Sequence, residues 1–171
     1  MIVPDDKNWT WVIEAPCPEC GFVAADLARE SVAELVRANA TTWQAALAAP
    51  DAARRTRDDR WSPLEYGCHV RDVLRVYDER LRRMLTEVGP HYENWDQDIT
   101  AIEDRYGEQD PTTVAAEIAA IAPVIADRFA GAHGDDWQRT GYRSDGAAFT
   151  VETIARYFAH DLVHHLWDIG A

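Results

Sequence analysis

A long helix with a well-marked start is the feature that most constrains how this chain folds. In the sequence Ser-Pro-Leu-Glu, Ser62 is placed to cap a helix, Pro63 takes the first helical position and Glu65 is placed to close a capping box. Apolar residues then recur at helical spacing: Tyr66, Val70, Val73, Tyr77, Leu81, Met84 and Val88. The pattern predicts one amphipathic helix that ends at the following Gly-Pro pair.

Three further segments have the pattern of long helices, and the four together predict an all-α fold, a four-helix bundle. The other helices are predicted at residues 23–49, 111–132 and 151–170. Asp110 is expected to cap the third of the four, and Pro123 is expected to kink it. The long segments 91–109 and 133–149 predict crossover connections, and no segment alternates as a strand does.

The length of 171 residues predicts a single domain. We expect residues 1–22 to form an irregular N-terminal segment packed on the bundle, and residues 23–171 to form one bundle domain. The oligomeric state is open, with a homodimer among the alternatives.

Charge and hydropathy argue against two classes of partner. The chain has 30 acidic and 17 basic residues and a net charge of −13, which repels phosphate backbones, so we expect no nucleic-acid partner. No apolar run approaches the roughly 20 residues of a membrane span, and the start of the chain lacks the pattern of a signal peptide. The sequence therefore predicts a cytoplasmic protein without a membrane partner.

Three histidines lie close together in the last predicted helix. His160 and His164 are four residues apart and therefore on one helix face, whereas His165 is turned about 100° away. Two imidazoles at this spacing can share one metal ion. Catalytic divalent sites commonly use three protein ligands, so a third should come from another helix. His69 is the best candidate.

Asp72, one turn from His69, and Asp161 are candidates for orienting those ligands. The alternative is that the histidines are structural or solvated, because the apolar stripe of their helix points nearly the opposite way. Either that helix is buried on most sides, with Tyr157 and Trp167 walling its second face, or the histidines face solvent.

Two stretches resemble the DinB-like proteins, a family of damage-inducible four-helix bundles. The first, RWSPLEYGCHVRDVLRVYDERLRRML, has Trp-Ser before an acidic helix start and a histidine followed three residues later by Asp. The second, WQRTGYRSDGAAFTVETIARYFAHDLVHHLWDIG, has a Trp-x-Arg-x-Gly loop, a Thr-Val helix start and His-x-x-x-His. The resemblance covers most of residues 24–170. It implies a divalent metal site at His69, His160 and His164, with His165 a neighbour that does not bind the metal.

The resemblance also implies a metal-dependent enzyme, with zinc, nickel, iron and manganese as alternatives for the metal. The leading hypothesis is a transferase that moves the sulfur of a low-molecular-weight thiol, such as mycothiol or bacillithiol, to an electrophile. The alternatives are a metal-dependent hydrolase and a non-catalytic metal-binding bundle in stress responses. Tyr66, Tyr157 and Trp167 are expected to wall a pocket for a small-molecule substrate, and Arg80 to hold an anionic group. No catalytic base is assigned.

Cys17 and Cys20 lie just before the first predicted helix and have the spacing of a zinc knuckle. A structural zinc ribbon needs a second such pair, and only Cys68 remains, which we interpret as a small core residue. Three alternatives stay open for the pair. They are a disulfide or redox pair, a pair without a role, and a contribution to a metal site, either its own or that of His69.

Overall fold

The structure is a computed structural model that describes residues 8–171, and helices dominate it. The five α-helices are α1 (Val32–Leu47), α2 (Pro63–Thr86), α3 (Gln97–Glu103), α4 (Pro111–Ala130) and α5 (Val151–Ile169). Short 3-10 helices lie at Trp9–Ile13, Ala24–Asp26, Arg29–Ser31, Tyr106–Glu108 and Gly134–Gln138. None of the helices in residues 8–171 is both long and apolar enough to cross a membrane.

The four long helices form the predicted bundle. Helices α1 and α2 each pack against both α4 and α5. Although α1 and α2 follow one another in sequence, they make few contacts with each other and lie largely on opposite sides of the bundle. The core between them is filled by large buried side chains such as Trp43, Leu74, Ile118 and Phe158. Long connections carry the chain from α2 to α4 and from α4 to α5, which confirms the crossover connections expected from the sequence.

Side-chain caps fix where the helices start. The capping box of α2 is present, because the Glu65 backbone N–H donates to Ser62 Oγ at 3.2 Å and the Ser62 N–H donates to Glu65 Oε2 at 2.8 Å. Asp110 caps α4 and Thr150 caps α5. Gly170 ends α5 at a φ of +74°, in the left-handed region that favours glycine. Pro123 lies inside α4, and its kink stays a prediction.

Two predictions about the elements were wrong. The first long helix begins at Val32 instead of Val23, because Leu27 and Ala28 have extended backbone and separate the 3-10 turn Ala24–Asp26 from the turn Arg29–Ser31 that leads into the helix. The connections also contain a three-stranded sheet of β1 (His91–Tyr92), β2 (Thr140–Arg143) and β3 (Ala148–Thr150). Strand β1 pairs with β2 in parallel, and β2 pairs with β3 antiparallel. Strands of two to four residues are too short to show a visible alternation.

Helix α5 is buried on two sides. Its apolar face, including Phe158 and Leu162, enters the core. The histidine face is covered by the N-terminal segment: the Trp9 ring lies 5.5 Å from His160 and 5.2 Å from His164. These two histidines are only 4% and 7% exposed, so the alternative of solvated histidines was wrong.

A buried ionic cluster joins α2 to the connection that follows it. Asp72 accepts hydrogen bonds from Arg71 at 2.8 and 2.9 Å, from Arg75 at 3.1 Å and from the Tyr106 hydroxyl at 2.6 Å. Burial alone would raise the pKa of Asp72, but the hydrogen bonds from Arg71 and Tyr106 outweigh it and lower the pKa. Through these bonds the Asp72 carboxylate links Tyr106 to α2. The hydrogen bonds of Asp72 go to these residues and not, as predicted, to His69.

Replacing Tyr106 with phenylalanine should destabilise the fold by about 2 kcal/mol, because a buried hydrogen bond to a charged group is lost. The free energy of unfolding, measured by urea titration at neutral pH, checks this. The matched control is Tyr142→Phe at the surface, for which a change within about 0.5 kcal/mol is expected.

The penalty of Tyr106→Phe should also depend on pH. The folded pKa of Asp72 lies below its unfolded value of about 3.9, so its stabilisation is complete above that value and is lost as pH falls through the folded pKa. The difference between Tyr106→Phe and the parent should therefore shrink below about pH 4. A difference that stays constant with pH would contradict the assignment of Asp72 as the acceptor.

Candidate metal centre

Helix α5 carries two interleaved pairs of metal-ligating residues. His160 and His164 form one pair, and Asp161 and His165 form the other, each four residues apart. Because neighbouring helical residues point about 100° apart, the two pairs face different directions. Within residues 8–171, metal-ligating side chains gather in two groups: His69, Asp161 and His165 in one, and Cys17, Cys20, His160 and His164 in the other.

The structure divides the ligand set that the sequence predicted. His69 is grouped with Asp161 and His165, and not with His160 and His164. The His69 and His165 rings lie 4.6 Å apart and perpendicular, although His165 was expected to take no part in metal binding. The physical reason is the rotation of α5, which presents residues 161 and 165 to α2 and residues 160 and 164 to the N-terminal segment.

The first group has the spacing of ligands around a divalent ion. Asp161 Oδ1 lies 3.4 Å from His69 Nε2 and 3.3 Å from His165 Nε2. Ligands about 2.1 Å from a metal, at tetrahedral angles, are about 3.4 Å from one another. His69 Nε2 and Asp161 Oδ1 are buried and make no hydrogen bond with a described residue. The residues present therefore fit the divalent metal that the family resemblance implies, and in this group Asp161 would be a ligand instead of an orienting residue.

The electrostatics of the group suit a cation. Burial lowers the pKa of His69, which keeps its imidazole neutral. Burial alone would raise the pKa of Asp161, but the nearby imidazoles of His69 and His165 outweigh it and lower the pKa. A neutral imidazole and an ionised carboxylate are the protonation states in which these groups bind a metal.

A second carboxylate orients His165. His165 Nδ1 lies 2.9 Å from Asp168 Oδ2, which leaves Nε2 directed at Asp161. Metal-ligating histidines commonly have such a carboxylate on the other ring nitrogen. The Tyr66 ring packs 5.1 Å from His165, and the Trp95 ring stacks on His69 at 5.5 Å.

A cavity of about 280 Å³ opens beside this centre. Aromatic rings and carboxylates dominate its wall, and Arg60 contributes a permanent positive charge. The residues that give it this character are Trp9, Trp61, Tyr66, Tyr157, Glu19, Asp59, Asp98, Asp161 and Asp168. Such a wall disfavours strongly anionic ligands and favours ligands with hydroxyl groups that donate to carboxylates.

The predicted pocket residues separate in the structure. Tyr66 and Tyr157 line the cavity. Arg80 lines a neighbouring cavity of about 450 Å³, where its guanidinium donates to the Glu93 carbonyl at 2.9 Å. Trp167 lies outside both cavities, with the Arg60 guanidinium 5.5 Å from its ring. The role of Arg80 in holding an anionic group stays a prediction.

Sequence reasoning missed Asp161 and His165 as partners of His69, and Asp168 as the group that orients His165. One signal was available. Asp161 and His165 have the same four-residue spacing as His160 and His164, but the spacing alone does not say which pair faces α2.

Comparisons with known proteins agree with this fold. Residues 22–169 match the model of the DinB superfamily. Among solved structures, YfiT from Bacillus subtilis, described as a probable metal-dependent hydrolase with an unusual four-helix bundle topology, superposes with a TM-score of 0.72. The two chains are 16% identical, and the match covers 81% of this chain and 82% of YfiT. No curated protein matches the chain in sequence.

Replacing Asp168 with asparagine should weaken divalent-metal binding at His165 by about 10–100-fold, because the charged partner of Nδ1 is lost. Competition with a chelating dye measures the dissociation constant. Asp135→Asn, at an exposed position in the Gly134–Gln138 turn, is the control and should leave the constant unchanged. Equal affinities for Asp168→Asn and the parent would show that Asp168 does not support the centre.

Proposed function

Since the chain belongs to the DinB superfamily, we propose that it is a divalent-metal-dependent enzyme with a centre formed by His69, Asp161 and His165. The observation that carries the proposal is the position of Asp161 Oδ1, 3.3 Å from His165 Nε2 and 3.4 Å from His69 Nε2, because Asp161 and His165 line the cavity. Three protein ligands are typical of catalytic sites, which keep a position for substrate or water. A bound divalent ion supplies a nucleophile at neutral pH by lowering the pKa of a coordinated group.

The reaction we propose is S-transfer from a low-molecular-weight thiol to an electrophile. The thiol loses its proton to solvent, its sulfur forms a bond to the electrophilic carbon, and the leaving group departs with the electrons of the broken bond. In this reaction His69, Asp161 and His165 hold the ion, Asp168 orients His165, and the aromatic rings of the wall shield the reacting atoms from water.

The cavity wall supports a neutral, hydroxyl-rich thiol. Glu19, Asp59 and Asp98 line the cavity with carboxylates, which accept hydrogen bonds from hydroxyl groups, and Trp61 and Tyr157 add aromatic rings to the wall. These features suit a sugar-containing thiol such as mycothiol. Bacillithiol carries carboxylates, which this acidic wall repels, so mycothiol is the preferred candidate.

Hydrolysis is the second candidate, and the likeness to YfiT favours it because that protein is described as a probable metal-dependent hydrolase. Water then takes the place of the thiol. Its oxygen forms the new bond, its proton goes to solvent, and the leaving group departs with the electrons of the broken bond. The same three ligands serve both reactions, so the identity of the nucleophile separates the candidates.

A turnover screen with metal-loaded protein tests the proposal. Electrophiles and activated esters are offered with zinc, nickel, iron or manganese, with mycothiol, bacillithiol or no thiol. We expect turnover of an electrophile that requires mycothiol. Turnover of an ester without thiol would establish the hydrolase instead. Binding of metal without any turnover would favour a non-catalytic stress-response bundle.

Variants of the centre link the activity to its residues. His69→Ala and Asp161→Asn should each reduce kcat/KM at least about 100-fold, because the loss of an outer partner of a ligand already costs about 10–100-fold. His91→Ala, at an exposed histidine on β1, is the matched control and should retain full activity. Full activity of Asp161→Asn would contradict the proposed ligand set.

A further inference from the structure

The second group of ligands joins the N-terminal segment to α5. One ligand atom from each of Cys17, Cys20, His160 and His164 lies within 4.8 Å of the others. Cys17 Sγ is 3.7 Å from His164 Nδ1. Around a tetrahedral zinc ion with a Zn–S distance of about 2.3 Å and a Zn–N distance of about 2.05 Å, sulfur and nitrogen ligands lie about 3.6 Å apart.

The chain between the cysteines forms a turn that brings both sulfurs to one side. The Gly21 N–H donates to the Cys17 carbonyl at 2.9 Å, and the Cys17 N–H donates to the Phe22 carbonyl at 2.9 Å. Gly21 has a φ of +75°, which glycine adopts without strain. Both cysteines are free thiols.

The group is largely buried, with only Cys20 partly exposed, and it contains an unsatisfied polar atom. Cys17 is 1% exposed and His160 is 4% exposed. His160 Nε2 is buried without a hydrogen-bond partner among the described residues. On the outer side of His164, Glu19 Oε2 lies 3.6 Å from Nε2.

We propose that Cys17, Cys20, His160 and His164 bind a structural zinc ion. Two thiolates and two neutral imidazoles balance the charge of Zn²⁺, so the complete site is neutral and compatible with burial. Four protein ligands fill the tetrahedral shell and leave no position for a substrate, in contrast to the three ligands at His69. The second pair that a cysteine knuckle requires is thus the histidine pair of α5.

The zinc ion holds the N-terminal segment in place over the cavity. This segment supplies Trp9 and Glu19 to the cavity wall and packs its Trp9–Ile13 turn on α5. The zinc site therefore shapes a wall of the neighbouring cavity, which His160 and His164 also line. The proposal does not depend on the catalytic function of the His69 centre.

Cobalt spectroscopy on the full chain tests the site. The protein is purified under reducing conditions, stripped of metal and loaded with Co²⁺ or Zn²⁺. We expect a thiolate-to-cobalt charge-transfer band with tetrahedral d–d bands, which the Cys17→Ser/Cys20→Ser variant loses. That variant should bind about one zinc equivalent per chain fewer than the parent. Cys68→Ala is the matched control, because Cys68 lies outside the group, and it should retain the band.

His69→Ala separates this site from the catalytic proposal, because the cobalt–thiolate band should persist in it. If the His69 centre does not bind metal, the parent chain binds one zinc equivalent instead of two. The cobalt–thiolate band is still present in that case. Alkylation of the parent chain gives a readout that does not depend on any variant folding: zinc should protect Cys17 and Cys20 from iodoacetamide at least about tenfold.

Three results would overturn the zinc proposal. They are a cobalt spectrum without a thiolate band, equal alkylation rates with and without zinc, and a Cys17–Cys20 disulfide in the reduced preparation.

Discussion

The covering of helix α5 on two sides is the constraint on which the rest of the structure depends. Its apolar face fills the bundle core, and its next face carries histidines that cannot be buried without partners. The N-terminal segment provides that cover with Trp9 and the cysteine turn, and α2 provides His69 to the adjacent face. One helix therefore contributes to the core, to a candidate metal centre and to the packing of the N-terminal segment.

Most of the fold could be predicted from the sequence because its signals are local. The capping box of Ser62 and Glu65 and the cap at Thr150 are set by residues three apart, and the structure confirms that these residues start α2 and α5. The small sheet could not be predicted, since strands of this length leave no period in the sequence. The start of the first helix was misplaced because residues 24–31 have helical composition, yet two extended residues interrupt them.

The candidate site was predicted in its residue types but not in its grouping. His69, His160 and His164 were identified from spacing and family resemblance, and the structure buries all three. Which of them share an ion depends on the rotation of α5 about its axis, and tertiary packing sets that rotation. Asp161 and His69 are far apart in sequence, and Cys17 and His164 are 147 positions apart. Local sequence patterns therefore predict neither contact.

The interleaving of the two pairs on α5 has an evolutionary consequence. Each pair lies beside a different part of the chain. His160 and His164 lie beside the cysteine turn, and Asp161 and His165 lie beside His69. In an alignment of relatives, the two cysteines and the histidine pair should therefore be gained or lost as one set. The Asp161 position should instead covary with α2, and an exchange between aspartate and histidine there leaves the cysteine set untouched. Neighbouring positions such as 160 and 161 would then covary with different parts of the chain.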